Sequence, residues 1–299
     1  MYPSAIDPNL PRAIKQPLRA RFERAMRHFA RHRLAMVGLT LVLVQILTAA
    51  LAPLLAPYAP NAIDYRAMLN GPTAAHLLGT DDLGRDILSR LIYGARVSMG
   101  VSVASVFVAI AAGVPFGLIT GYIGGALDEA LMRVLDSVMA LPALVLALTI
   151  ATVLGHGVFN GMIAIAVVLI PIFTRIVRGQ VLSVKHNDYV QAAHSVGVPT
   201  YLVLLRHILP NAINPVIVQG SLAIGFAIII ESSLSFIGLG AEPPTPTWGS
   251  MVQIGFQYLE TAPWFVLAPA TMIFLAVLGF NMLGDGLRDL LDPVSRSRH

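Results

Sequence analysis

Glu231 is the residue whose chemistry asks for an explanation first. It stands in IIIESSLSFIGLG, well inside a long apolar run. An acid at mid-membrane costs about 2.5–3.5 kcal/mol on insertion scales, so it must face protein or water rather than lipid. Two kinds of chemistry suit it. It lines a solute or proton pathway, or it locks helices together through hydrogen bonds, with Ser232 and Ser235 at hand as donors. A second ionisable group lies in GTDDLGRDILSRLIYGARVSM. There Leu83, Ile87, Leu88, Leu91 and Ile92 recur at helical spacing opposite Asp82, Arg85, Asp86, Ser89 and Arg90. Asp82–Arg85 and Asp86–Arg90 are the i,i+3 and i,i+4 pairs that steady an exposed helix, so the pattern predicts a helix lying on a membrane face. Acids without histidine or a calcium-type loop make a poor metal site.

Other chemistries lack their residues. A phosphate loop for ATP ends in Gly-Lys-Ser/Thr. The only lysines here, Lys15 and Lys185, follow Ile14 and Val184, so the sequence encodes no such loop. There is no cysteine for disulfides or thiolate ligands. His156, His186, His194 and His207 are scattered, and neither a Ser-His-Asp set nor an HExxH pair is present.

One polar stretch has helical grammar: Lys185–Asn211, KHNDYVQAAHSVGVPTYLVLLRHILPN. Asp188 with Gln191 three residues on reads as a capping box. Gly197 sits where the helix needs a left-handed end, Pro199 suits the first position of a second helix, and Pro210 is expected to end it. Ala192 and Ala193 keep the first helix small, so another surface can approach its backbone. This stretch resembles the EAA motif of the membrane subunits of ABC importers. It matches at Gln191-Ala192-Ala193, Gly197 and Leu209-Pro210 with every spacing kept; Gln191 replaces the family's Glu, and His207 stands at its Ile position. The resemblance implies that the first short helix is a coupling helix, seated on an ATPase subunit and passing its motion to the spans.

The elements that must carry these residues are membrane helices. The chain of 299 residues is 56% hydrophobic and 12% charged, where soluble domains carry about a quarter charged residues. Its mean hydropathy is +0.73. Six runs reach the roughly 20 residues a span needs: Leu34–Leu55, Val97–Tyr122, Val134–Leu154, Val158–Val177, Ile213–Leu239 and Trp264–Leu283. The first starts too far in and is too long for a cleavable signal. Residues 1–33 form a basic tail, read as a cytoplasmic anchor to membrane lipids rather than a nucleic-acid arm, with Arg24, Arg27 and Arg31 on one helical face. With that tail inside, only Arg66, Arg85, Arg90 and Arg96 of the 20 lysines and arginines fall outside. The positive-inside rule then places both termini and the 185–211 loop in the cytoplasm.

Details within the spans follow. Gly113, Gly117 and Gly121 make a small-x-x-x-small face for close helix packing. Pro115, Pro142, Pro171 and Pro269 are each expected to bend a span. Asp136 is expected to pair with Arg133 at a membrane interface. AEPPTPTWGSM reads as a stiff turn with Trp248 at headgroup level.

Together GTDDLGRD, ESSLSFIGLG and PPTPTWG resemble the peptide-and-nickel branch of the ABC importer permeases, closest to the second permease of dipeptide and oligopeptide importers. The resemblance implies an all-α type I importer permease of six transmembrane helices. Residues 34–55 are the first span, 56–96 a periplasmic loop, 97–284 a five-helix core and 285–299 a cytoplasmic tail. It implies import of di- or oligopeptides across the bacterial inner membrane, with nickel or glutathione as alternative cargo. The partners would be a second permease, two ATPase subunits holding ATP and Mg, and a periplasmic solute-binding protein. This chain itself would carry no cofactor and no catalytic site. Asp81, Asp82, Arg85, Asp86 and Trp248 are the candidate docking residues for the binding protein. The reading from a different class is an ion-coupled secondary transporter working through Glu231.

Overall fold

Proline and glycine divide the apolar sequence into helices of unequal length. The computed structural model describes residues 32–291. The basic tail with its expected interfacial helix, through Arg31, and the end of the chain from residue 292 lie outside the described residues. All regular structure among the described residues is helical. The helices are α1 (Arg33–Ala50), α2 (Ala52–Leu55), α3 (Ile87–Ile123), α4 (Gly125–Met139), α5 (Ala143–Leu154), α6 (Val158–Val184), α7 (Asp188–Ser195), α8 (Thr200–Val203), α9 (Leu209–Phe236), α10 (Trp248–Phe256) and α11 (Pro263–Leu291). Five helical stretches are long and apolar enough to cross a membrane: α1, α3, α6, the Thr200–Phe236 stretch ending in α9, and α11.

The expected span at Val134–Leu154 is not one straight helix. Pro142 ends the run: its ring excludes the helical conformation at the residue before it and removes a donor. α4 and α5 meet there at 93°. With 12 residues, α5 alone covers only about 18 Å. The sixth crossing therefore exists only if the bent pair is counted as one. Pro115, Pro171 and Pro269 do lie inside long helices, as does Pro215.

The glycine face does what its spacing predicts. A Cβ on Gly113 would come within 2.8 Å of Phe173 Cβ, and one on Gly121 within 2.8 Å of Val181 Cβ. α3 and α6 therefore touch backbone to backbone, and Phe173, Val177 and Val181 are fully buried along the contact. A second seam joins α1 to α11, where a Cβ on Gly38 would lie 2.7 Å from the Leu283 nitrogen.

The acidic loop corrects the expectation of a separate surface helix. Helix begins only at Ile87 and runs unbroken through α3 for 37 residues. Asp86 is its N-cap, accepting from the Ser89 N–H and hydroxyl, both at 2.7 Å. The preceding turn closes on itself, because Asp81 Oδ1 accepts from the Leu83 and Arg85 backbone N–H groups. Asp136 also departs from expectation. It bonds Arg175 of α6, while Arg133 reaches Glu129 one turn back.

Candidate functional site

The 185–211 loop folds as two short helices that bend at Gly197, with its first helix over Asp188–Ser195. The capping box does not form. Asn187 occupies the non-helical cap position, so Asp188 is already inside the helix and Gln191 falls one place too late. Gln191 Nε2 instead donates to the His186 carbonyl at 3.0 Å. At the other end Gly197 has φ +79°, and the N–H groups of Gly197 and Val198 bond the His194 and Ala193 carbonyls. That crossed pair is a Schellman ending, which needs a residue tolerant of the left-handed region. Pro199 caps α8 rather than opening it.

Pro210 does not stop the second helix. Leu204–Ile208 form a π turn, and Leu209 and Pro210 open α9 directly from it. The wider turn removes the clash a proline ring would have with the carbonyl four residues back. The loop is thus joined to α9 without a break.

Only Val190 and Ala193 of α7 are buried, both against the chain's own core. Ala192, not Ala193, faces outward with Asp188, Gln191 and His194. Tyr189 and Val196, three residues before and four after it, are exposed apolar side chains, as are Tyr201 and Leu205 of the second helical stretch.

The opposite end of α3 holds the charged cluster. Asp81, Arg85, Asp86 and Arg90 are all buried, and only Asp82 of the acidic run is partly open. Arg85 Nε donates to Asp81 at 2.6 Å, and His76 Nδ1 lies 3.0 Å from Asp86. Arg90 Nη1 reaches the Pro60 carbonyl and Asn61, while its Nε stands 3.4 Å from Asp81 without a hydrogen bond. Trp248 is not at an interface either. It is fully buried, its indole N–H donates to the Leu91 carbonyl at 3.1 Å, and Thr247 with Ser250 forms a capping box beneath it. As placed, Asp81, Arg85, Asp86 and Trp248 hold the loop and α10 against α3 and offer little surface for docking.

Glu231 is 5% exposed in α9. Ser235 Oγ donates to it at 2.8 Å, Ser232 stands at 3.5 Å, and Ser98 of α3 lies near the carboxyl. Ser98 in turn accepts from the Trp248 backbone N–H at 3.2 Å. No spacing in the sequence announces Ser98, because it is brought in by helix packing alone. A narrow cleft, with room for about one water, adjoins the acid, with Val97, Val101, Gly161, Ile165 and Leu234 among its walls. Among the described residues, no three His, Asp or Glu side chains gather where a metal could be held.

Long apolar helices sealed through glycines, with an exposed helix pair carried between two of them, fit a multi-pass membrane protein. Residues 113–297 match the family described as the binding-protein-dependent transport system inner membrane component, and the chain belongs to it. Residues 21–72 match the N-terminal TM domain of oligopeptide transport permease C. The chain is 43% identical over 273 residues to the dipeptide transport system permease protein DppC of Alkalihalophilus pseudofirmus, covering 91% of this chain and 90% of that protein. It is 41% identical over 289 residues to the glutathione transport system permease protein GsiD of Pectobacterium atrosepticum, with 96% of each covered. A glutathione permease from Escherichia coli is 43% identical over 268 residues, 89% of this chain and 88% of its own length.

Proposed function

We propose that this chain is the second permease of an ATP-driven importer that moves di- or oligopeptides from a periplasmic binding protein into the cytoplasm. The observation that carries the reading is α7, an eight-residue helix that seats Val190 and Ala193 on the core and turns Asp188, Gln191 and Ala192 outward. Its partners are a second permease, two ATPase subunits that hold ATP and Mg, and the solute-binding protein. Both termini and α7 face the cytoplasm in this reading, as the placement of the lysines and arginines favours. Closure of the ATPases would push on Asp188–Ser195 and rock the spans between two states.

Cargo has a second reading. Relatives named for dipeptide and for glutathione transport reach the same 43% identity, and glutathione is itself a tripeptide. Uptake of labelled dipeptide, challenged by excess glutathione or by nickel, separates the readings. Ion coupling through Glu231 is disfavoured because serine hydroxyls already engage its carboxyl.

The test is purification of the tagged chain in mild detergent, followed by reconstitution. Recovery of a second permease and ATPase subunits, with uptake dependent on ATP and lost in Ala192→Trp, is the expected result. A chain that purifies alone and moves solute without ATP overturns the proposal.

A further inference from the structure

The helix α7 is tied at its two ends to two different spans. Near its C-terminal end, His194 Nε2 lies 2.6 Å from the Tyr122 hydroxyl, with the rings stacked at 5.9 Å and 29°. Near its N-terminal end, the Tyr189 hydroxyl accepts from Asn211 Nδ2 at 3.3 Å. Tyr122 belongs to the last turn of α3, and Asn211 to the first turn of α9. Those same two helices also pack against each other far away, where Ser98 of α3 lies near Glu231 of α9. Twenty-four residues separate Ser98 from Tyr122 along one helix, about 36 Å.

Two features hold the part of α3 beyond Pro115 in place. The glycine seam sets it backbone to backbone against α6. Lys185, just before α7, also donates to the Gly121 carbonyl at 3.1 Å. The coupling loop thus grips α3 at two adjacent residues. α7 itself buries only Val190 and Ala193, so apolar packing alone does little to fix its rotation. Two stiff rings in direct hydrogen bond carry a displacement with little slack, unlike a long flexible side chain.

We propose that Tyr122 and His194 form the strut by which displacement of α7 is passed to the C-terminal end of α3. They are positioning residues for transport. The proposal rests on the coupling reading above.

The test uses the complete complex reconstituted in liposomes with its binding protein. Peptide uptake, ATP hydrolysis and recovery of ATPase subunits on the tagged chain are measured in the same preparations. Tyr122→Phe keeps the ring and removes the hydroxyl, His194→Leu removes the ring nitrogens, and His194→Gln restores a polar reach. The strut predicts normal ATPase recovery with uptake per ATP reduced about fivefold in Tyr122→Phe and in His194→Leu, the scale of one net hydrogen bond. It predicts partial rescue by His194→Gln and a double variant no worse than either single one. Unchanged uptake per ATP, effects that multiply in the double variant, or loss of ATPase recovery in Tyr122→Phe would each overturn it. Ala192→Trp, run in parallel, tests the underlying reading. If that outward substitution leaves recovery and uptake intact, α7 is not the docking helix, whatever the strut variants show.

Discussion

Arg178 of α6 and Asp128 of α4 meet fork to fork, Nε to Oδ1 at 2.6 Å and Nη2 to Oδ2 at 2.7 Å. The side chains are 31% and 14% exposed, so the pair is shielded more than an ordinary surface ion pair. It fixes the first turn of α4 against α6. Arg178→Lys keeps the charge and loses the fork. A loss of about 1 kcal/mol is expected, read as a lower thermal midpoint of the purified complex. Adding Asp128→Asn to Arg178→Lys should cost less than the two single effects combined, since they share one interaction.

Gly117 tests the seam between α3 and α6. A Cβ there would meet the Thr174 carbonyl oxygen at 2.5 Å and the Arg178 nitrogen at 3.0 Å, both backbone atoms that cannot swing away. Gly117→Ala should therefore push the helices apart and destabilise by about 1–3 kcal/mol, the range for overpacking. Gly100→Ala, on the same helix with nothing within 4 Å of the added carbon, should leave the thermal midpoint unchanged. Equal midpoints for the two variants would remove the seam from the account.

Glu231 accepts from the Ser235 hydroxyl one turn on in α9. A glutamine keeps the shape and can still accept from Ser235, so Glu231→Gln should retain most peptide uptake. Glu231→Leu strands the buried hydroxyl of Ser235, a lost partner costing about 1–3 kcal/mol, and should impair assembly. Loss of uptake in Glu231→Gln with normal assembly would instead assign the carboxyl to the transport pathway.

Gly197 ends α7 at φ +79° with no atom near its missing Cβ. The obstacle to substitution is therefore backbone strain alone, about 1–2 kcal/mol for a residue with a side chain. Gly197→Val should tilt or unravel the end of α7 and lower uptake several-fold while the chain still inserts in the membrane. Gly197→Asn, which tolerates this region better, should fall between the valine variant and the unsubstituted chain.

What the sequence disclosed was local or periodic. The left-handed end at Gly197, the α3 seam at Gly113, Gly117 and Gly121, and the serine partners of Glu231 close by in sequence all follow from spacing. The misreadings share a cause, which is a choice made by the tertiary fold. Asp86 and Asp82 look alike on a helical wheel, but only Asp86 is a cap, because Asp81 turns the chain inward ahead of it. Trp248 beside prolines suggests a headgroup site, yet its indole finds the Leu91 carbonyl 157 residues away. Asn187 displaces Asp188 from the cap by a single position. Ser98 had no signal at all, since only the crossing of α3 with α9 gives it a role.

The seam between α3 and α6 also has a consequence for biogenesis. Ile123 ends the first partner and Val184 the second, so 61 further residues must be made before the seam can close. At about 5–20 residues per second, that is an interval of roughly 3–12 s. Through it the glycine face of α3 has no mate from its own chain and rests against lipid or the insertion machinery. The timetable of the ribosome, as well as the final geometry, sets when this protein acquires its centre.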